Sequence, residues 1–256
     1  MDTTYADRDW PRPRARVGFI IPSRNTITEP DLNRYAPAGI GVHCVRLKQV
    51  TETPLIEQTP SILVAASLLA DARCDMIVYH CTGKSMGSGV AAEKRLVAQI
   101  EKHTGRRACT TASAVGVALQ ALGAKKVVMA TPYPQKTNDS EKAYLAELGV
   151  EVLRDLAAAL PKPDGVCGAT PEFWVEETFK HRHPEAQAYF LSCCNMQGMG
   201  AIAGLEAKLD KPVISSNQAA FWYALRALGI SDDVPVIGRL FRLGLPVNSF
   251  ASEASV

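Results

Sequence analysis

Short apolar runs alternate along this chain with longer segments whose apolar positions recur at helical spacing. The runs are Val17-Gly18-Phe19-Ile20-Ile21, Val42 to Leu47, Met76 to Tyr79, Arg107 to Thr111, Lys126 to Ala130, Val150 to Leu153, Ala188 to Cys193 and Pro212 to Ser216. Continuous rather than alternating hydrophobicity suits strands covered on both faces, as in a parallel sheet. The intervening segments read as helices. One starts at Thr28-Glu29-Pro30-Asp31. The others are Pro60 to Arg73, Ser88 to His103, Ala112 to Leu122, Ser140 to Leu148, Pro171 to Arg182, Ala201 to Leu209 and Gln218 to Leu228. In Pro60 to Arg73 the stripe is Ile62, Leu63, Ala66, Leu69 and Ala70. Gly105, Gly123, Gly149 and Gly229 follow helix ends, where a left-handed residue closes the last turn. Gly238 to Leu243 fits a last turn or strand. Strands alternating with helices predict an α/β fold with parallel sheets.

The plan occurs twice. Pro22 with its polar loop answers Pro132, Cys81 answers Cys193, Thr110 answers Ser215, and Ala121-Leu122-Gly123 answers Ala227-Leu228-Gly229. The offsets are 110, 112, 105 and 106 positions. Four matches in order argue for duplication. The fold expected is two pseudo-symmetric lobes, each a short parallel sheet flanked by helices, with the active site in the cleft between them. Residues 15–112 with 214–245 form the first lobe and 113–213 the second; 1–14 and 246–256 are loose termini.

Two of the strands end in a thiol followed by small or polar residues. These are Met76-Ile77-Val78-Tyr79-His80-Cys81-Thr82-Gly83 and Ala188-Tyr189-Phe190-Leu191-Ser192-Cys193-Cys194-Asn195. Ligands in open α/β sheets sit at strand ends. Two sulfurs at equivalent ends therefore face one ligand from opposite sides.

Composition narrows the functional classes. The net charge of +2 gives no reason to expect nucleic acid or an anionic membrane as partner. No run of about 18 apolar residues exists. The segment from Met1 to Arg16 lacks the apolar stretch of a signal peptide. Seven scattered cysteines without a CxxC pair suit a reduced, cytoplasmic protein. Cys44, Cys74, Cys109 and Cys167 read as structural. For Cys194, core packing and site lining stand equal, since strand alternation turns it away from Cys193. His80 reads as a satisfied core histidine. Gly83-Lys84-Ser85 lacks the earlier glycine of a phosphate loop. His181-Arg182-His183, before Pro184, reads as a surface turn. Trp174, Phe221 and Trp222 read as core.

The motifs Pro-Ser-Arg-Asn-Thr (22–26), Cys81-Thr82, Ala-Thr-Pro-Tyr (130–133), Leu-Ser-Cys (191–193) and Val-Ile-Ser-Ser-Asn-Gln-Ala (213–219) together resemble the aspartate/glutamate racemase superfamily. Within it the likeness is to maleate cis–trans isomerases and arylmalonate decarboxylases, and it runs from Val17 to Phe241. The resemblance implies that Cys81 is nucleophile or base and Cys193 the proton donor. It places Asn25 and Tyr133 on substrate carboxylates and Thr82 with Gly83 at an oxyanion-binding loop. Ser23, Asn138, Cys194 and Asn195 complete the expected binding set. Neither metal nor organic cofactor is implied. The expected partner is a small carboxylate, and the expected assembly a homo-oligomer, dimer or tetramer. The decarboxylases carry glycine at the position of Cys81, and the racemases open with Asp-Ser-Gly where this chain has Pro-Ser-Arg-Asn.

A free thiol titrates at about 8.5, so a thiolate needs help from helix N–H groups or cations. Thr82, Gly83, Lys84 and Ser85 supply such groups beside Cys81, whereas nothing charged follows Cys193. Two similar groups held in opposite states suit acid–base work. The reading is a cofactor-independent isomerase in which the Cys81 thiolate adds to a cis-enedioate. The alternatives are a two-base racemase or epimerase, an arylmalonate-type decarboxylase, and a non-catalytic dicarboxylate sensor.

Overall fold

The computed structural model describes residues 13–48, 53–161 and 164–247. The terminal arms expected to be loose fall almost wholly outside these residues.

Two four-stranded parallel sheets share one strand order. The first is β2-β1-β3-β4, built from β1 (Ala15–Pro22), β2 (Ile40–Leu47), β3 (Met76–Tyr79) and β4 (Arg107–Thr110). The second is β6-β5-β7-β8, from β5 (Lys126–Thr131), β6 (Glu151–Ala157), β7 (Ala188–Leu191) and β8 (Val213–Ser215). This identity of order bears out the duplication. In each sheet the chain leaves the first strand toward one edge and returns on its other side. The crevice at that reversal, between β1 and β3 or β5 and β7, is where open sheets hold ligands.

β1, β3, β5 and β7 are buried along almost their whole length. Among the described residues ten α-helices cover the sheets. The most deeply packed pair is α5 (Thr111–Ala121) and α10 (Ser216–Ala227), which lie against each other. Each starts in a capping box, Thr110 with Ser113 and Ser215 with Gln218, at equivalent places in the two halves. Reciprocal capping satisfies two amides that the first turn leaves open. α10 also packs on α1 (Thr28–Tyr35). One apolar core crosses from Phe19 and Val78 to Met129 and Phe190, so the halves share a packed interior. Trp174, Phe221 and Trp222 are fully buried as expected.

Several boundaries differ from the sequence reading. α2 runs Leu55–Asp71, and Pro60 lies inside it with an exposed side chain. The helix extends past this proline because Leu55, Gln58 and Thr59 continue the buried stripe. The segment read as one helix from Ser88 to His103 follows a separate short helix, α3 (Thr82–Gly87). The two are separated at Gly89, whose φ of 77° interrupts the helix before α4 (Val90–Thr104). α6 starts early, at Gln135, because Pro134 takes the N-cap, and it ends at Glu147. α9 begins at Gly198, and of the turn or strand left open for Gly238 to Leu243 the turn forms, within two 3-10 segments over 235–242.

Candidate active site

Between the ends of the two sheets lies a cleft of about 700 Å³. Cys81 lines it from the first half, and Cys193 and Cys194 from the second. All three are nearly buried and free of disulfides. Cys81 follows β3 and takes the N-cap of α3. Cys193 and Cys194 follow β7, which ends at Leu191. The alternation that turned Cys194 away no longer applies beyond that residue, and both vicinal cysteines line the cleft.

The walls combine both halves. Ser23, Arg24 and Asn25 come from the loop after β1, and Thr53, Pro54 and Leu55 from the start of α2. Gly83 and Lys84 lie on α3. Tyr133, Lys136, Thr137 and Ser140 come from β5's end and α6, with Asn195 after the cysteines. Among the described residues the lining holds three cationic side chains, Arg24, Lys84 and Lys136, and no Asp or Glu. The Lys84 ammonium donates to the Thr53 carbonyl at 2.7 Å, which fixes one cation at the rim.

The surroundings of Cys193 favour its protonated form. Burial pushes its thiol up to about 12. Two donors work in the opposite direction, the Tyr133 hydroxyl and the Asn195 amide N–H, the latter 3.2 Å from the sulfur. Negative charge on Cys81 or Glu141 raises it further. Cys193 thus holds its proton at neutral pH, yet meets waiting donors once that proton leaves. Burial raises Cys194 still more strongly, although its sulfur accepts from the Thr82 N–H and from Asn25.

Asn25 does two jobs in the wall. Its Oδ1 accepts from the amides of Ile27 and Thr28, and its Nδ2 donates to Thr28 Oγ1 and the Cys194 carbonyl at 3.1 Å. It therefore pins the two halves together, and reaches a ligand carboxylate only by exchanging one of these bonds. Asn195 Oδ1 similarly accepts from the Thr26 amide. Ser23 and Gly83 line the cleft. Two predicted site residues do not. Thr82 is buried, with Oγ1 unpartnered, and contributes its N–H to Cys194. Asn138, expected in a loop, sits within α6 and faces inward, joining Thr131 to Asp155. Lys136, Thr137 and Ser140 take the place expected of it. Their spacing marks one helix face, a signal visible only once the helix is known to begin at Gln135.

Behind the thiols lies a buried polar network. His80 Nδ1 accepts from Thr111 Oγ1 and its Nε2–H donates to Asn217 Oδ1, both at 2.8 Å. Burial lowers this imidazole to about 4, so it is neutral. It has the core role the sequence suggested. Asn217 Nδ2 donates to Asp31, and Thr28 Oγ1 donates to the Cys194 carbonyl. Removing Asn217 strands the fully buried His80 N–H and takes a donor from the half-buried Asp31 carboxyl. Asn217→Ala is expected to cost about 2–4 kcal/mol, as for other orphaned buried partners. A denaturant midpoint that falls with unchanged slope checks this; an unchanged midpoint contradicts it.

Among the described residues no group of His, Cys, Asp or Glu is placed to hold a metal ion, and no helix is long and apolar enough to cross a membrane.

The sequence profile of the arylmalonate decarboxylase family matches residues 17–241. Maleate isomerase of Geobacillus stearothermophilus is 25% identical over 241 residues, covering 88% of this chain and 96% of that protein. Arylmalonate decarboxylase of Bordetella bronchiseptica is 26% identical over 234 residues, covering 88% and 95%. The crystal structure of maleate isomerase from Pseudomonas putida S16 superposes with a TM-score of 0.81 at 28% identity, covering 93% of this chain and 99% of that one.

Proposed function

We propose a function from one premise: the chain belongs to the arylmalonate decarboxylase family. Within it, the protein is a cofactor-independent isomerase of a small dicarboxylic acid, of the maleate isomerase type. The observation that carries this reading is the convergence of Cys81 and Cys193, from opposite halves, on one cleft whose described lining residues include three cations.

The chemistry follows from that arrangement. The Cys81 thiolate attacks one carbon of a cis double bond, forming a carbon–sulfur bond. The displaced electron pair moves to the neighbouring carbon and its carboxylate. Cys193 gives its proton to that carbon, and its thiolate is received by the Tyr133 hydroxyl and the Asn195 N–H. The former double bond is now single and rotates. Cys193 then takes a proton back, the carbon–sulfur bond breaks, and the trans acid leaves. No electrons are gained or lost. Arg24, Lys84, Lys136, Ser23, Gly83 and Asn195 hold the two carboxylates through charge-assisted and backbone contacts. Asn25 and Cys194 shape the wall between them.

The Cys81 position favours isomerisation over decarboxylation, because a nucleophile stands where decarboxylases have glycine. A homo-oligomer is also proposed. Its support is the apolar face of α2, where Ile56, Val64 and Leu68 are exposed at 64%, 64% and 53%. Incubating the purified protein with maleate and following the vinyl protons by NMR tests the assignment. Conversion to fumarate without added cofactor is expected. Tight binding with no conversion would support the sensor instead, and release of carbon dioxide from an arylmalonate the decarboxylase.

A further inference from the structure

The buried acid behind Cys193 has no place in the steps above. Glu141, on α6, is fully buried. Its Oε2 accepts from Ser192 Oγ at 2.5 Å, and Ser192 immediately precedes Cys193. Its Oε1 has no hydrogen-bond partner. That oxygen lies just under the cleft wall: a Cβ built on Gly83 would stand 3.7 Å from it and 3.7 Å from Tyr133 Cζ. Among the described residues no ion pair reaches Glu141. A carboxylate this deep without a cation is strongly disfavoured, so the group is an uncharged acid. Burial raising it to about 8 agrees.

The first half repeats the device. Asp31 lies 110 positions before Glu141, the offset that relates Pro22 to Pro132. It too is on the first helix of its half, and burial raises it to about 6. It reaches His80, the residue before Cys81, through Asn217. Each half thus sets an acid against the residue preceding its cysteine: Glu141, fully buried, directly, and Asp31, half-buried, through an amide.

Resting on the isomerase reading, we propose that Glu141 is a positioning residue for the Cys193 step: as an uncharged acid it anchors Ser192 and leaves Cys193 able to take negative charge, and as a carboxylate it closes that step. The titratable groups facing it are Tyr133 and Cys193, both raised by its charge. α3, packed on α6, offers Lys84, already held by Thr53. β6 offers Asp155, held by Asn138, Gln135 and Lys142. α4 offers Glu93, bonded to Tyr144 and Thr110. None of these supplies a cation to Glu141.

Glu141→Gln keeps the acceptor for Ser192 and removes the titration. Three readouts test it. Wild-type kcat should fall as pH rises through about 8, while Glu141→Gln retains neutral-pH turnover and loses that alkaline limb. Alkylation of Cys193 by iodoacetamide, followed by peptide mass spectrometry, should begin at lower pH in the variant. The melting temperature should also respond. A raised folded-state value stabilises below the unfolded value of 4.5 and loses that stabilisation as pH climbs to about 8. The wild type should therefore lose melting temperature across this window relative to the variant. The last two readouts need no substrate, so failure of the isomerase reading would show as absent turnover alone. Identical alkylation profiles, an identical alkaline limb, or a folded variant inactive at pH 7 where the wild type turns over would each overturn the proposal.

Discussion

Cys81→Ser protein is expected to lose turnover of a cis-enedioate by roughly 10⁴-fold or more, while folding normally. The sulfur is replaced by an oxygen of nearly the same size at a position only 7% exposed. The Cys81 side chain makes no capping bond to α3, so the helix does not depend on it. The chemistry does. A serine hydroxyl is not ionised at neutral pH and needs a base to attack. The adjacent imidazole cannot serve, because both His80 nitrogens are bonded, to Thr111 and Asn217, and the ring sits in the core. Measured kcat/KM with maleate, beside a thermal melt, checks the expectation. Activity within tenfold of wild type would remove Cys81 from the mechanism.

Cys193→Ala is the second large effect, with kcat expected to fall by about 10²–10⁴-fold, the usual worth of a positioned acid–base group. The two thiols should fail differently. Without Cys193 the cleft still admits the diacid and Cys81 still attacks, but nothing protonates the carbon beside the new bond. KM should therefore change far less than kcat, and Cys81 should remain open to alkylation. Loss of alkylation at Cys81 in this variant would mean that Cys193 activates its partner rather than the substrate. The depth of the defect follows from the site: Tyr133 and Asn195 donate to the Cys193 sulfur.

Much of this site was legible in the chain. The strand ends announce themselves because an apolar run stops at Pro22 or Pro132, and because a thiol, Cys81 or Cys193, ends the matching strand of each half. The shared order of the two sheets then places those ends at equivalent crevices. Other parts were hidden for definable reasons. Asn138 looked like loop because its neighbours are polar, yet Pro134 starts the helix early and turns the amide inward. Cys194 looked averted because period-two alternation was extended past Leu191, where the strand stops. Asn25 looked like a ligand contact and proves also to be a pin between halves. Glu141 lies in the polar run Gln-Lys-Thr-Asn-Asp-Ser-Glu-Lys and reads as surface. Only the packing of α6 under α3 shows it to be buried.

The most direct test is a crystal structure of Cys81→Ser protein with maleate bound. The diacid should lie with its double bond between the substituted hydroxyl and the Cys193 sulfur, one on each face, and its carboxylates should rest against the 23–25 loop, Gly83 and Asn195. Maleate bound with both groups on the same face, or seated away from Cys193 altogether, would contradict the two-thiol account.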